Sequence, residues 1–264
     1  HPGRERVMVN RIWLHLLGKP LVETPNNFGL SGVEPEQQAL LDHLAVRFMN
    51  QGWSIKRMIR EIVLSRTYQR SSRYDPKNDE ADPENRWLWR ANPRQLDAES
   101  MRDAMLALAG QLDLDRPYAS AVAEAGPGRP GGLRVSANVR YRSVYLPIVR
   151  DEVIEPLKLF GFPDPNITSA MRQESIVPTQ ALYLMNGAFA LNQAEAMAAD
   201  LEKQYPGIKD RIQVAFIRAY GRPATDEEKR AAVEFFRDFK STGNEALAVF
   251  CQTLMASARF RILN

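Results

Sequence analysis

The sequence is poor in the residues that most site chemistry draws on. In 264 residues it has one cysteine, Cys251, and three histidines, His1, His15 and His43. A single thiol excludes an internal disulfide framework. It also excludes covalent haem, which needs the two cysteines and adjacent histidine of C-x-x-C-H. The three histidines lie too far apart in sequence to give the clustered ligand spacing of a zinc site, so no metal is expected. No apolar run approaches the ~20 residues of a membrane-spanning helix. The opening HPGRERVMV lacks the apolar stretch of a signal peptide, so the chain reads as a C-terminal portion of a longer protein. Neither sign of charge is in large excess. Thirty-five Lys and Arg against 32 Asp and Glu leave a net charge of +3, without the massed basic face that nucleic acid requires. The nucleophile elbow of a serine hydrolase is missing. The Gly-rich run AGPGRPGG, residues 125 to 132, lacks the Lys-Ser/Thr ending of a phosphate loop.

What is present is helical spacing. Hydrophobic residues make up 44% of the chain, enough to bury a core in one large domain or two small ones. Val9, Trp13, Leu16 and Leu17 share a face of a helix over 4 to 17, stopped by Gly18. A second helix is expected from about Pro35 to Gly52, with Leu40, Leu41, Leu44 and Phe48 inward. Ser54 is an N-cap for a third, where Ile55, Met58, Ile59, Ile62 and Val63 repeat at three and four. Between the first two, Leu21, Val22 and Phe28 anchor an irregular but ordered loop. Residues 71 to 93 are polar and Pro-bearing, hence a connection pinned by Trp87 and Trp89. Residues 94 to 109 form a fourth helix with Leu96, Met101, Met105 and Leu108 inward.

Residues 125 to 139 are expected as a flexible Gly/Pro loop dividing an N-terminal helical half, 1 to 124, from a C-terminal half, 140 to 264. RYRSVYLPIVR, residues 140 to 150, alternates Val144, Leu146 and Ile148 with the period of a strand, although Pro147 restricts it to an edge strand or an extended strap. Helices are predicted at 178 to 186, 188 to 204, 207 to 220 and 225 to 240, the last opening with a Thr225/Glu228 capping box, and from about Glu245 to Ile262. Cys251, among apolar residues, has a buried packing role. The fold class is therefore mainly α: a multi-helix globular domain with long ordered loops and at most one short strand pair.

The strings NRIWLHLLGKPLVETPNNFG, LLDHLAVRFMNQGWSIKRMIREIVLSRTY, LDAESMRDAMLALAGQLD, YRSVYLPIVR, FPDPN and VPTQALYLMN run in order from about Val7 to Asn186. Together they resemble the domain of unknown function 1553 family, the C-terminal domain of planctomycete cytochrome c type proteins. The resemblance implies an upstream companion domain of the same polypeptide as partner. It also implies an exported, cytochrome-linked parent at the periplasm or cell surface, and haem in an upstream domain rather than any cofactor in this chain. It carries over no activity. Where similar sequences commonly show an aspartate in FGFPDPN, this chain has Gly161.

Two constellations stand out. Asp97, Glu99 and Asp103 could supply acid and base groups for sugar hydrolysis. Only Glu99 and Asp103 share a helical face, with Arg102 beside them, and such pairs are common on solvated helices. The second set is Arg140, Arg142 and Arg150, followed by Asp164, Arg172, Gln180 and Asn186. Arginine presents a rigid fork of donors, so these residues could converge on an anionic or carbohydrate ligand, or could fasten the loops through backbone carbonyls. In the second case Arg172 is expected to bond loop carbonyls or Asp164 beside the helix start at Pro178. Asn10, Arg11 and His15 are expected as structural polar residues on the first helix. The leading reading is a non-catalytic structural or ligand-binding module, with neither nucleic acid nor a membrane span. The alternative is a carbohydrate-active enzyme on polysaccharide, sulfated polysaccharide included.

Overall fold

The computed structural model describes residues 3–118, 139–150, 152–172, 177–239 and 244–263. Among them are twelve α-helices and one short strand pair, so the protein is mainly α. Contacts divide the chain into two units, residues 1–94 (with residue 264) and residues 95–263. The expected divider at 125 to 139 lies, but for Val139, outside the described residues.

In the first unit α1 (Arg4–Leu17) packs on both α2 (Gln38–Asn50) and α3 (Ile55–Val63). Their apolar stripes meet in a core of Val9, Trp13, Leu41, Phe48 and Met58, closed by Val22 from the intervening loop. The helix ends follow local chemistry. Gly18 takes a φ of 81° and donates its N–H to the Leu14 carbonyl at 2.9 Å, a geometry that a β-carbon would oppose. Ser54 caps α3 by accepting from the Arg57 N–H. Asn10, fully buried, is matched to Val22 in both directions: its Nδ2 donates to the Val22 carbonyl at 3.1 Å and its Oδ1 accepts from the Val22 N–H at 2.9 Å.

Residues 71 to 93 differ from the expected plain connection. They hold α4 (Pro76–Ala81), capped by Asp75 with Pro76 in its first turn. Leu88 rather than Trp87 enters the core, and Trp87 stands in solvent.

The second unit begins within β1 (Arg94–Gln95), continues through α5 (Ala98–Leu108), α6 (Glu155–Leu159), α7 (Pro178–Asn186), α8 (Ala188–Gln204), α9 (Ile208–Tyr220), α10 (Asp226–Asp238), α11 (Asn244–Ala256) and α12 (Ala258–Arg261), and ends on β2 (Ile262–Leu263). Helix α5 belongs here, not with the N-terminal helices, because Ala98, Met101, Met105 and Leu106 join the core built by α7, α8, α9 and α11. It is also shorter than expected, since Asp97 caps it by accepting from the Ser100 N–H at 2.8 Å. At the centre α8 and α11 lie side by side, with Met197, Leu201, Leu247 and Cys251 between them. The expected C-terminal helix is broken in two: Ser257 Oγ accepts from the Phe260 N–H at 3.1 Å and starts α12.

Of the two forms expected at 140 to 150, an edge strand or an extended strap, the protein takes the second. This stretch is a strap with a 3-10 turn at Ser143–Tyr145 and one bridge between Asp113 and Tyr141. Leu146 is buried, whereas Val144 and Ile148 point to solvent. Pro147 has no N–H to give a ladder, and a buried arginine takes the carbonyls of Val139 and Tyr141.

Candidate functional site

The centre of the candidate region is a residue that the pattern of charges concealed. Arg102 lies in register with Ala98, Met101, Met105 and Leu106 on the buried face of α5, and its side chain is 0% exposed. Its Nη1 donates to the Tyr141 carbonyl at 3.1 Å and to Ser143 Oγ at 3.0 Å, and its Nη2 donates to the Val139 carbonyl. Asp103 completes the joint. Its Oδ1 accepts from the Ser143 N–H at 2.8 Å and from the Ser143 hydroxyl at 2.6 Å, and it lies 3.3 Å from Arg102 Nη1. Burial pushes the Arg102 pKa below its ordinary value, and the neighbouring carboxylate opposes that shift. The only signal in the sequence was the register itself, an arginine at a core position of an amphipathic helix.

The expected carboxylate pair is thus divided between two arginines. Asp103 serves the strap. Glu99, from the first turn of α5, meets Arg172 in a two-pronged ion pair, Nη1 to Oε2 at 2.5 Å and Nη2 to Oε1 at 2.7 Å, with the guanidinium also over the Phe162 ring. The Glu99 hydrogen bonds hold the Arg172 pKa above its ordinary value. Glu99, rather than loop carbonyls or Asp164, is therefore the partner of Arg172.

The other candidates separate by burial. Gln180 is buried at the start of α7, donates to the Leu159 carbonyl at 3.0 Å and accepts from Gln95 Nε2 at 3.4 Å. Asp164 is exposed and closes its own turn by accepting from the Asn166 N–H. Asn186 is exposed and donates to the Leu182 carbonyl one turn back. Arg140, Arg142 and Arg150 are exposed along the strap. In the first unit Arg11 donates to Asn26 Oδ1 at 3.2 Å, and His15 is exposed, its backbone carbonyl accepting from Arg94 at 2.8 Å.

Elsewhere in the second unit, a groove of about 720 Å³ between α9 and α10 is lined by charged side chains, among them Lys209, Asp210, Lys229 and Arg230. Farther along, Glu228 accepts from both terminal nitrogens of Arg222, at 2.7 and 2.8 Å, and from the Thr225 N–H at 2.8 Å. Arg259 donates to it as well. The Arg222 hydrogen bonds, above all, hold its carboxyl far below the usual carboxylate range. Among the described residues no three of His, Cys, Asp and Glu gather as a metal site would need. No helix among them is long and apolar enough to cross a membrane.

The family described as "Protein of unknown function (DUF1553)" matches residues 1–236 of the chain. No curated protein and no solved structure matches it. With that share of its length covered, the chain belongs to this family.

Proposed function

We propose that this member of the DUF1553 family is a non-catalytic binding module of an exported, cytochrome-linked protein, and that its strap presents Arg140, Arg142 and Arg150 to an acidic ligand. One observation carries the reading. Residues 139 to 150 hold these three exposed arginines and no carboxylate, and the strap is fastened from beneath by the buried Arg102 joint. Because the strap's backbone is already fastened, binding sulfate, phosphate or carboxylate would cost the freedom of the arginine side chains alone.

The two carboxylates that an enzyme would need are engaged, Glu99 by Arg172 and Asp103 by Ser143 and Arg102, which supports binding over catalysis. Dextran sulfate titrated into wild type and the triple variant R140E/R142E/R150E tests the proposal. Wild type should bind with an affinity that falls steeply with salt, while the triple variant loses most of it with unchanged circular dichroism. R172A should bind like wild type, because its guanidinium already serves Glu99. Equal binding by wild type and the triple variant, or no binding by wild type, would reject the proposal.

A further inference from the structure

The groove of about 720 Å³ between α9 and α10 is walled by residues of these two helices. On α10 the lining residues Asp226, Lys229, Arg230, Val233, Glu234 and Arg237 recur at three and four, a single face running about 16 Å along the helix. The other side of α10 is committed to the core through Ala232 and Phe236. Helix α9 supplies the facing wall from its first two turns, with Lys209, Ile212 and Gln213.

The two walls are held before any ligand arrives. Gly221 ends α9, and the turn that follows is fixed by both prongs of Arg222 on Glu228 and by the Thr225/Glu228 capping box. Arg259 of α12 bonds the same carboxylate. A groove built on fastened helices costs little backbone freedom when it is filled.

Its size and lining narrow the occupant. Sites for one small molecule commonly enclose about 300–1,000 Å³, and this groove falls within that range. Among the described lining residues only Ile212 and Val233 are apolar, so a lipid would cover charged groups without giving them partners. Two of the cations are already engaged: Lys229 bonds Asp226 at 3.2 Å, and Arg237 lies 3.4 Å from Glu234. Lys209 and Arg230, one from each wall, have no ion-pair or hydrogen-bond partner among the described residues. They leave the groove with cationic donors that an anion would satisfy. Three carboxylates, Asp210, Asp226 and Glu234, line it as well. These would repel a bare polyanion, whereas each keeps lone pairs that accept from hydroxyl groups.

We infer that the α9/α10 groove binds a small hydroxylated anion, a sugar phosphate or a sugar acid, with Lys209 and Arg230 on its anionic group and Asp226 and Glu234 on its hydroxyls. The inference is independent of the arginine strap, and the triple strap variant keeps the two apart.

Isothermal titration calorimetry of the whole chain tests it with glucose 6-phosphate, mannose 6-phosphate, glucuronate and gluconate, beside glucose and inorganic phosphate. At least one of the four hydroxylated anions should bind one to one. Glucose and phosphate should bind at least about tenfold more weakly, because each lacks one half of the contacts. K209Q/R230Q should weaken the sugar anion at least about tenfold as well. Both side chains are exposed and unpaired, so this variant should keep the wild-type circular dichroism and melting temperature. V233W, which fills the groove without altering its charges, should abolish binding, and R140E/R142E/R150E should bind like wild type. Binding of the sugar phosphates, of the sugar acids or of both supports the inference and identifies the anionic group. A wild type that binds none of the four overturns it. So does undiminished binding by K209Q/R230Q or V233W, loss of binding in the strap variant, or inorganic phosphate or glucose that matches the best sugar anion.

Discussion

Arg172 and Glu99, 73 positions apart in the chain, face each other with both guanidinium prongs on both carboxylate oxygens. Their side chains are 39% and 23% exposed, so water remains available to whichever partner is left alone. That exposure sets the size of the effect. R172A should lower stability by about 0.5–1.5 kcal/mol, above an ordinary surface pair for its two-pronged geometry but below a buried one. Urea denaturation of R172A, E99A and the double variant measures the coupling directly. Additive losses would mean that the pair contributes nothing of its own.

Arg102 should be far less tolerant. Its removal leaves Asp103 bonded to Ser143 but without its cation, leaves a cavity at a fully buried side chain, and frees the carbonyls of Val139 and Tyr141 at half-buried positions. Breaking a buried pair from one side commonly costs about 3–5 kcal/mol, and R102A is expected in that range. R102K should recover little, because one ammonium cannot reproduce the fork. Denaturant midpoints of the two variants decide it, and a lysine variant as stable as wild type would contradict the role given to the fork.

Glu228 makes the second unit sensitive to acid. Its folded pKa is depressed, chiefly by Arg222, so its contribution is complete above its unfolded pKa and drains away as pH falls below the ordinary glutamate value of 4.5. Melting temperatures should show wild type well above E228Q at neutral pH, with the gap narrowing steadily as the solution becomes more acid. A gap that widened in acid would have the wrong sign for this linkage.

Cys251 lies at 0% exposure between α8 and α11, where burial pushes its thiol pKa up to about 12. At pH 8 it is expected to be inert towards Ellman's reagent in the native protein and to react fully on unfolding. The labelling rate then reports opening of the central helix pair, and rapid labelling of native protein would show that the pair opens readily.

Much of this fold was legible locally. The expected bounds of α1, α7 and α8 coincide with the structure, because Gly18, Pro178 and Gly187 punctuate the chain where the apolar spacing ends. The Thr225/Glu228 capping box forms with both of its bonds. Pairing across the sequence was not legible. A local reading gave Arg172 the aspartate eight residues away, when its partner lies on another helix. Arg102 passed as a surface charge because its acceptors come from a strap some forty residues on. The strap itself alternates like a strand, and only those long-range bonds show why it cannot join a sheet. At the candidate site, residue types were readable, while the division into inward fasteners and outward arginines required the coordinates.

The second unit begins and ends at nearly the same point. The Leu96 N–H donates to the Arg261 carbonyl at 2.8 Å, which sets the first residues after β1 beside the last turn of the chain. Polypeptides whose ends meet in this way tolerate relocation of their termini. Residues 95–263 should therefore survive circular permutation, with a short linker joining old end to old beginning and new ends opened at an exposed turn such as that before α9. The same closure suits the unit to being carried as an insert within a loop of another protein, entering and leaving through a single narrow stem.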